Sequence, residues 1–265
     1  MRALALALLA PLLAFAGDTP VNAGPYVPSP QSVVSDMLKL AAVGADDFVI
    51  DLGSGDGRIV RTAALIFGAR GFGVEINEQL VRQSNAAAAR EGIADRAKFV
   101  NADLFKTDVS PATVLTMYLL PDTVNLLRDK LLAELRPGTR VLSHDYPLSG
   151  WVPEKYVQMD LEDKVKISGV TTTLIYLYVV PAKVEGRWQA SAPGGALTLD
   201  LKQNITRVSG TARSGGKDAA LENVKLRGAR LSFRLAGKSY SGRVDGAAIA
   251  GEIEGGGAWS AKRVR

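Results

Sequence analysis

Apolar residues follow two different patterns along this chain. Up to about residue 180, short continuous apolar runs alternate with stretches in which apolar residues recur every three or four positions. That is the signature of buried strands alternating with amphipathic helices. Beyond Pro181, apolar and polar residues alternate singly between glycines, the period of half-buried antiparallel strands. The first pattern predicts strands over 48–50, 71–76, 98–102, 114–120 and 139–143, then two more over 156–167 and 171–180. Helical faces are predicted from Val33, Val34, Met37, Leu38 and Ala41, from Ile59, Ala63, Ile66 and Phe67, and from Val124, Leu127, Leu131 and Leu135. Strands alternating with helices predict an α/β, Rossmann-like fold. The second pattern, with runs at 196–201, 231–235, 240–244, 249–253 and 258–264, predicts a small all-β antiparallel barrel or sandwich. Trp188 and Trp259, near its two ends, are expected to plug its core.

Punctuation sharpens these boundaries. Residues 20–30 carry four prolines and a glycine and are expected to form an extended arm. Ser29 is the expected cap of the first helix, with Pro30 at its first position. Asn77 is expected to cap another helix that Gly92 ends, and Pro137-Gly138 stops the helix begun at Pro121-Asp122.

The chemistry concentrates where the strand Phe48-Val49-Ile50 runs into Asp51-Leu52-Gly53-Ser54-Gly55-Asp56-Gly57-Arg58. Glycine suits a turn that a ligand must touch, because a Cβ would occupy the ligand's space. The glycines at 53, 55 and 57 do not have the G-x-G-x-x-G spacing that seats a pyrophosphate, and Asp51 and Asp56 would repel one. An acidic glycine turn suits a cationic ligand, and S-adenosylmethionine carries an ammonium and a sulfonium close together. Glu75, at the end of the next strand, is placed to accept from the two ribose hydroxyls, and Ile76 beside it is a further cofactor contact. Asp103 and Leu104, at the end of the third, are placed for the adenine amino group and ring; the alternative for Asp103 is a capping or loop aspartate. The expected cofactor set from these residues is Asp51, Gly53, Ser54, Gly55, Asp56, Gly57, Glu75, Ile76, Asp103 and Leu104.

Here the sequence resembles the class I S-adenosylmethionine-dependent methyltransferases. The words Pro-Tyr-Val-Pro-Ser-Pro-Gln-Ser-Val-Val-Ser-Asp-Met-Leu and Asp-Leu-Gly-Ser-Gly-Asp-Gly-Arg-Ile-Val resemble the mitochondrial FAM173-type protein-lysine methyltransferases and their bacterial relatives. Those words, with Gly73-Val74-Glu75-Ile76, resemble the Dot1 histone methyltransferases more distantly. The resemblance covers roughly residues 25–181. It implies a seven-stranded sheet with an antiparallel edge and an arm folded over the methionine end of the cofactor, which makes Tyr26, Val27, Pro28 and Ser29 candidate contacts. It also implies that Tyr118, in Tyr118-Leu119-Leu120-Pro121, faces the methyl acceptor as well as the cofactor. That tetrad departs from the Asn/Asp-Pro-Pro-aromatic pattern of amide and nucleobase methylation. The acceptor implied is therefore a protein lysine.

Tyr118 and Asp145 are the candidates to relay the proton of that lysine. The neighbouring His144 and Asp145 are expected to point oppositely from an extended backbone and to contribute to the cavity wall, with no metal site. Two other readings stay open: methyl or aminopropyl transfer to a small molecule or polyamine, and a non-catalytic exported binding protein that keeps the fold.

Charge and targeting add the last expectations. There is no cysteine, so disulfides, thiolate metal sites and a cysteine nucleophile are excluded. Residues 183–265 hold 15 Lys and Arg against 7 Asp and Glu, net +8, although the whole chain is only +5. That segment carries no zinc, helix-turn-helix or RNP pattern, so sequence-specific nucleic acid is not expected; an anionic surface such as lipid headgroups or an acidic protein is the expected partner type. Met1-Arg2 followed by an apolar run to Ala16 has the parts of a secretory signal peptide. The expected organisation is a signal or N-terminal anchor at 1–16, a methyltransferase domain at 17–182 and a glycine-rich β domain at 183–265. The expected location is exported, periplasmic or facing outward from the membrane, or cytoplasmic if the segment is not a working signal.

Overall fold

The structure is a computed structural model that describes residues 26–162, 164–165 and 169–264. The expected signal segment and residues 20–25 of the arm lie outside the described residues.

Seven strands form the first sheet: β1 (Phe48–Leu52), β2 (Arg70–Glu75), β3 (Ala97–Asn101), β4 (Val114–Met117), β5 (Arg140–His144), β6 (Lys155–Asp160) and β7 (Thr172–Val179). Their order is β3-β2-β1-β4-β5-β7-β6, parallel throughout β1 to β5, with β7 antiparallel to both neighbours. Both faces are covered, so neighbouring residues on one strand enter different cores. Val49 and Val114 pack with helices α1 (Gln31–Leu40) and α2 (Arg58–Phe67). Ile50 and Leu115 pack with Val124, Leu127 and Leu131 of α4 (Pro121–Glu134). The helix α3 (Glu78–Arg90) closes the flank, with Val81 and Ala88 against Phe99.

The strand order reverses at β1, which has β2 on one side and β4 on the other. A crevice opens beyond the carboxyl ends of strands at such a switch.

Four local expectations are corrected. The first helix starts at Gln31 with Pro30 as its cap residue and no side-chain cap, because the Ser29 hydroxyl turns to His144 instead. Ile66 is 72% exposed: the buried stripe of α2 runs through Ile59, Val60, Ala63 and Ala64, squeezed between α1 and α3. The fourth strand ends at Met117, short of the expected Leu120, where the chain turns into α4. The sixth strand ends at Asp160, whose carboxylate accepts hydrogen bonds from the Thr171 and Thr172 hydroxyls, and Glu162, Lys164 and Val165 are helical. Asn77 does cap α3, its Oδ1 accepting from the Gln79 N–H at 2.9 Å.

The second sheet has nine antiparallel strands: β8 (Gly186–Ala192), β9 (Gly195–Asn204), β10 (Arg207–Ser214), β11 (Lys217–Ala220), β12 (Glu222–Arg227), β13 (Arg230–Leu235), β14 (Lys238–Asp245), β15 (Ala248–Ile253) and β16 (Gly257–Arg263). It curls into a nearly closed barrel. The Leu221 N–H, between β11 and β12, reaches the Gly210 carbonyl of β10 at 2.9 Å. Trp188 and Trp259 are both buried inside; Trp259 meets Phe233 and Tyr240 edge to face and donates its Nε1–H to Ser241 O at 2.9 Å. The barrel docks at the end of the first sheet away from the crevice. There the Ala182 N–H donates to Gly228 O at 2.8 Å, Arg227 pairs with Glu154 at 2.7 Å, and a Cβ on Gly228 would lie 3.1 Å from Gly138 Cα.

Trp259→Ala removes the ring that holds this aromatic cluster together. It is expected to cost the barrel about 3–5 kcal/mol. Thermal unfolding followed by near-ultraviolet circular dichroism should show a lowered barrel transition, with ligand binding at the crevice kept.

Candidate active site

The crevice is built by β1. It carries Asp51 into the interior, 2% exposed, where Oδ1 accepts from the Thr116 hydroxyl at 2.7 Å. The chain then turns through Gly53, Gly55 and Gly57 at φ 74°, 55° and 77°, the left-handed region where glycine carries no Cβ penalty. The Gly53 and Ser54 N–H groups both donate to Val74 O at 2.9 Å, and the Gly55 N–H donates to Glu75 Oε2 at 2.9 Å. The turn thus fixes the carboxylate at the tip of β2.

A cavity opens over this turn, and most of the residues expected from the sequence come together on its wall. Asp51, Gly53, Ser54, Gly55 and Asp56 form the floor. Glu75, Ile76, Asp103 and Leu104 form one side, and Tyr26, Val27, Pro28 and Ser29 close the top, with Tyr118 at the end of β4. Two glycines are needed for close approach. A Cβ on Gly55 would lie 2.5 Å from the Tyr26 ring, and one on Gly53 would lie 2.6 Å from Leu119.

Gly57 is not on the wall. It precedes α2 and packs beneath Phe99 and Ser84. Asp145 and His144 are not on it either, which corrects the expectation that they contribute to the wall; both lie behind Tyr118. Asp103 lines the cavity and also accepts from the Phe105 N–H at 2.8 Å, so it combines the two roles considered for it.

Residues not expected in the site from the sequence also line the cavity: Arg58, Leu80, Leu119 and the helix cap Asn77. Arg58 binds Asp56 through both carboxylate oxygens and donates from Nη1 to Ser29 O at 2.8 Å, clasping the arm to the glycine turn. Its place at the start of α2, one residue past the last glycine, was the available signal.

Burial pushes the Asp51 pKa up to about 7, against the Thr116 hydrogen bond and helped by the charges of Glu75 and Asp56. Burial also pushes Asp56 up, but the Arg58 contacts outweigh it and hold its pKa below the ordinary value. The floor is therefore an anionic surface whose most buried member is charged only in part at neutral pH.

Behind Tyr118 lies a buried polar network. Adjacent residues on an extended strand point oppositely, yet here His144 and Asp145 converge, with His144 Nε2 3.7 Å from Asp145 Oδ2. The reason is the backbone of Asp145, which takes φ 63°, a conformation aspartate tolerates better than most residues. Asp145 Oδ1 accepts from Lys164 Nζ at 2.6 Å, from the Thr173 hydroxyl at 3.0 Å and from the Leu174 N–H at 3.0 Å. Burial pushes Asp145 up, but His144, Lys164 and the Leu174 N–H together hold its pKa below the ordinary value. Burial raises the Tyr118 pKa, and the charge and hydrogen bond of Asp145 raise it further. Tyr118 is thus a neutral phenol beside a carboxylate.

The cavity fits S-adenosylmethionine on structural grounds of its own. Its floor is acidic, Ser54 Oγ is buried there without a hydrogen-bond partner among the described residues, and Ile76 is left 49% exposed on the wall.

Comparison with known proteins agrees with this chemistry. A family model described as the ANTKMT methyltransferase domain matches residues 51–155. A protein-lysine N-methyltransferase of Saccharolobus islandicus is 43% identical over 157 residues, covering 59% of this chain and 93% of that protein. The adenine nucleotide translocase lysine N-methyltransferase of Mus musculus is 36% identical over 129 residues, covering 49% of this chain and 56% of that protein. Among solved structures, an RNA methyltransferase from Salinibacter ruber in complex with S-adenosyl-L-homocysteine is 44% identical with a TM-score of 0.54, covering 60% of this chain and 96% of that one.

Proposed function

The chain belongs to the ANTKMT-type family of S-adenosylmethionine-dependent methyltransferases, and we propose that its methyl acceptor is the side-chain amine of a protein lysine. The observation that carries this reading is the position of Tyr118: it lines the cofactor cavity just past the end of β4, as a phenol kept neutral by burial and by the neighbouring Asp145 charge.

S-adenosylmethionine supplies an activated methyl on a sulfonium, with a neutral thioether as the leaving group. Asp51, with the acidic turn, would hold the cationic end, Glu75 would take the ribose hydroxyls, and Asp103 would take the adenine amino group, with Ile76 and Leu104 beside the ring. Tyr26 to Ser29 exclude water from above. Tyr118, kept neutral beside the Asp145 carboxylate, would offer its hydroxyl oxygen to an N–H of the incoming amine and help aim the nitrogen along the displacement line. Neither residue is a strong base at neutral pH, because Asp145 is held low and Tyr118 high. The lysine must therefore arrive neutral, having lost its proton to solvent on entering the drier site.

The lysine reading draws support from the Saccharolobus islandicus relative, of which this chain covers 93%, and from the Tyr-Leu-Leu-Pro tetrad. Incubation with methyl-labelled S-adenosylmethionine and a fractionated cell extract tests it. Label in protein supports the proposal; label confined to polyamines or other small molecules, or to RNA, overturns it.

Export of the protein is a further part of the proposal, supported by the signal-like pattern of residues 1–16. Mass spectrometry of the native N-terminus checks it: cleavage after Ala16 is expected, and an intact Met1 in a cytoplasmic fraction contradicts it.

A further inference from the structure

Ser29 and His144 are 115 residues apart in sequence and meet in the interior at 2.8 Å, Ser29 Oγ to His144 Nδ1. Ser29 is 4% exposed and His144 fully buried. On the far side of the ring, Nε2 meets Thr173 Oγ1 at 2.7 Å, and Thr173 in turn meets Asp145 Oδ1 at 3.0 Å. The Tyr118 ring lies against the imidazole, centroids 3.9 Å apart and tilted 33°.

Counting protons gives this path a direction. An ionised carboxylate only accepts, so Thr173 spends its one hydroxyl proton on Asp145. The Thr173 oxygen must then accept from imidazole Nε2–H. A neutral imidazole with its proton on Nε2 has a bare Nδ1, which accepts the Ser29 hydroxyl proton. Burial favours that neutral ring, pushing the His144 pKa down to about 4. The ionisable groups facing it among the described residues are Tyr118, Asp145 and Lys164.

Ser29 is held at its other end too. Its carbonyl accepts from Arg58, which is locked to Asp56 in the glycine turn. One directed path thus runs from the cofactor loop through Arg58, Ser29, His144 and Thr173 to the Asp145 carboxylate, with the Tyr118 ring packed on the imidazole at its centre.

We propose that His144 is a positioning residue that couples closure of the arm over the cofactor to the placement of Tyr118 at the acceptor. The ring touches neither ligand cavity nor solvent. A histidine is suited to this place because its two nitrogens, one donor and one acceptor, join two hydroxyls on opposite sides in a fixed sense. This inference rests on the methyltransferase reading for its effect on catalysis, whereas its effect on cofactor affinity can be read without any acceptor.

The test is a double-mutant cycle on Ser29→Ala and Thr173→Val, two small changes at opposite ends of the imidazole, measured both as the S-adenosylmethionine Kd and as kcat at saturating cofactor. Coupling predicts that Thr173→Val, remote from the cofactor cavity, still raises the cofactor Kd by about fivefold, and that Ser29→Ala lowers kcat by a similar factor. The double variant should then be no worse than the poorer single one. His144→Gln, which can accept on Oε1 and donate from Nε2, should recover most of the function that His144→Leu loses.

Strictly additive effects, with Ser29→Ala changing only the Kd and Thr173→Val only kcat, would overturn the proposal. If His144→Leu does not fold, the Ser29 and Thr173 cycle alone decides. A wild-type protein that transfers no methyl to protein defeats the lysine reading, and the Kd arm of the cycle still decides the coupling.

Discussion

Asp51→Asn is expected to make the ligand-free protein more stable and to weaken S-adenosylmethionine binding by about 100-fold or more. The side chain is the same shape, and Asn Oδ1 can still accept the Thr116 hydroxyl now bound at 2.7 Å. What is lost is a carboxylate whose burial lifts its pKa from 3.8 to about 7. A carboxylate with a raised pKa in the folded state favours folding fully below about pH 4 and progressively less as pH rises to about 7, where the loss levels off. The span corresponds to something on the order of 4 kcal/mol. Thermal unfolding of the ligand-free wild type should therefore show stability declining across that window from this group, and Asp51→Asn should remove that part of the slope. Cofactor binding has the opposite sensitivity. A cationic ligand favours the ionised form, so wild-type affinity should fall as pH drops below about 7, while the variant should be weak at every pH. A variant that binds as tightly as wild type would show that the acidic floor does not hold the cationic end.

Tyr118→Phe is expected to lower kcat by about 100-fold while changing the S-adenosylmethionine Kd by less than about fivefold. The ring survives, so its tilted contact with His144, centroids 3.9 Å apart, and its part of the cavity wall survive with it. Only the hydroxyl, proposed to meet the acceptor, is removed. Because neither Tyr118 nor Asp145 serves as a strong base, kcat/KM of the wild type for the acceptor, which reports the free amine, should keep rising with pH toward the ordinary lysine pKa of about 10. A plateau beginning near neutral pH would point to a dedicated base and contradict the role given to this pair.

Much of the fold was readable because the strands of the first sheet are buried on both faces and so appear as apolar runs. The glycine turn and the strand-end acids Glu75 and Asp103 were readable because a sharp turn and a strand tip leave local marks. The parts that were not readable depend on partners distant in sequence. The Ser29 hydroxyl has the position of a helix cap, and only the fold brings it to His144 instead. His144 and Asp145 were expected to diverge, and a single left-handed φ at Asp145 brings them together. In the barrel, the strands β10 and β11 are so polar, Arg-Val-Ser-Gly-Thr-Ala-Arg-Ser and Lys-Asp-Ala-Ala, that they show no apolar alternation. Their pairing follows from hairpin register, with Arg213 opposite Asp218 and Ser214 opposite Lys217. Ile66 was misplaced because its helix packs on two flanks, and the spacing of its apolar residues alone could not tell which flank lay open.

Peptide mapping of protein labelled from deuteromethyl S-adenosylmethionine tests the central claim most directly, because it identifies the atom that receives the methyl. Fragmentation should place the label on lysine Nζ, and the label should disappear with Asp51→Asn and fall sharply with Tyr118→Phe. Label on a carboxylate, an amide or a nucleobase, or label on lysine that is unchanged by both substitutions, would contradict the account.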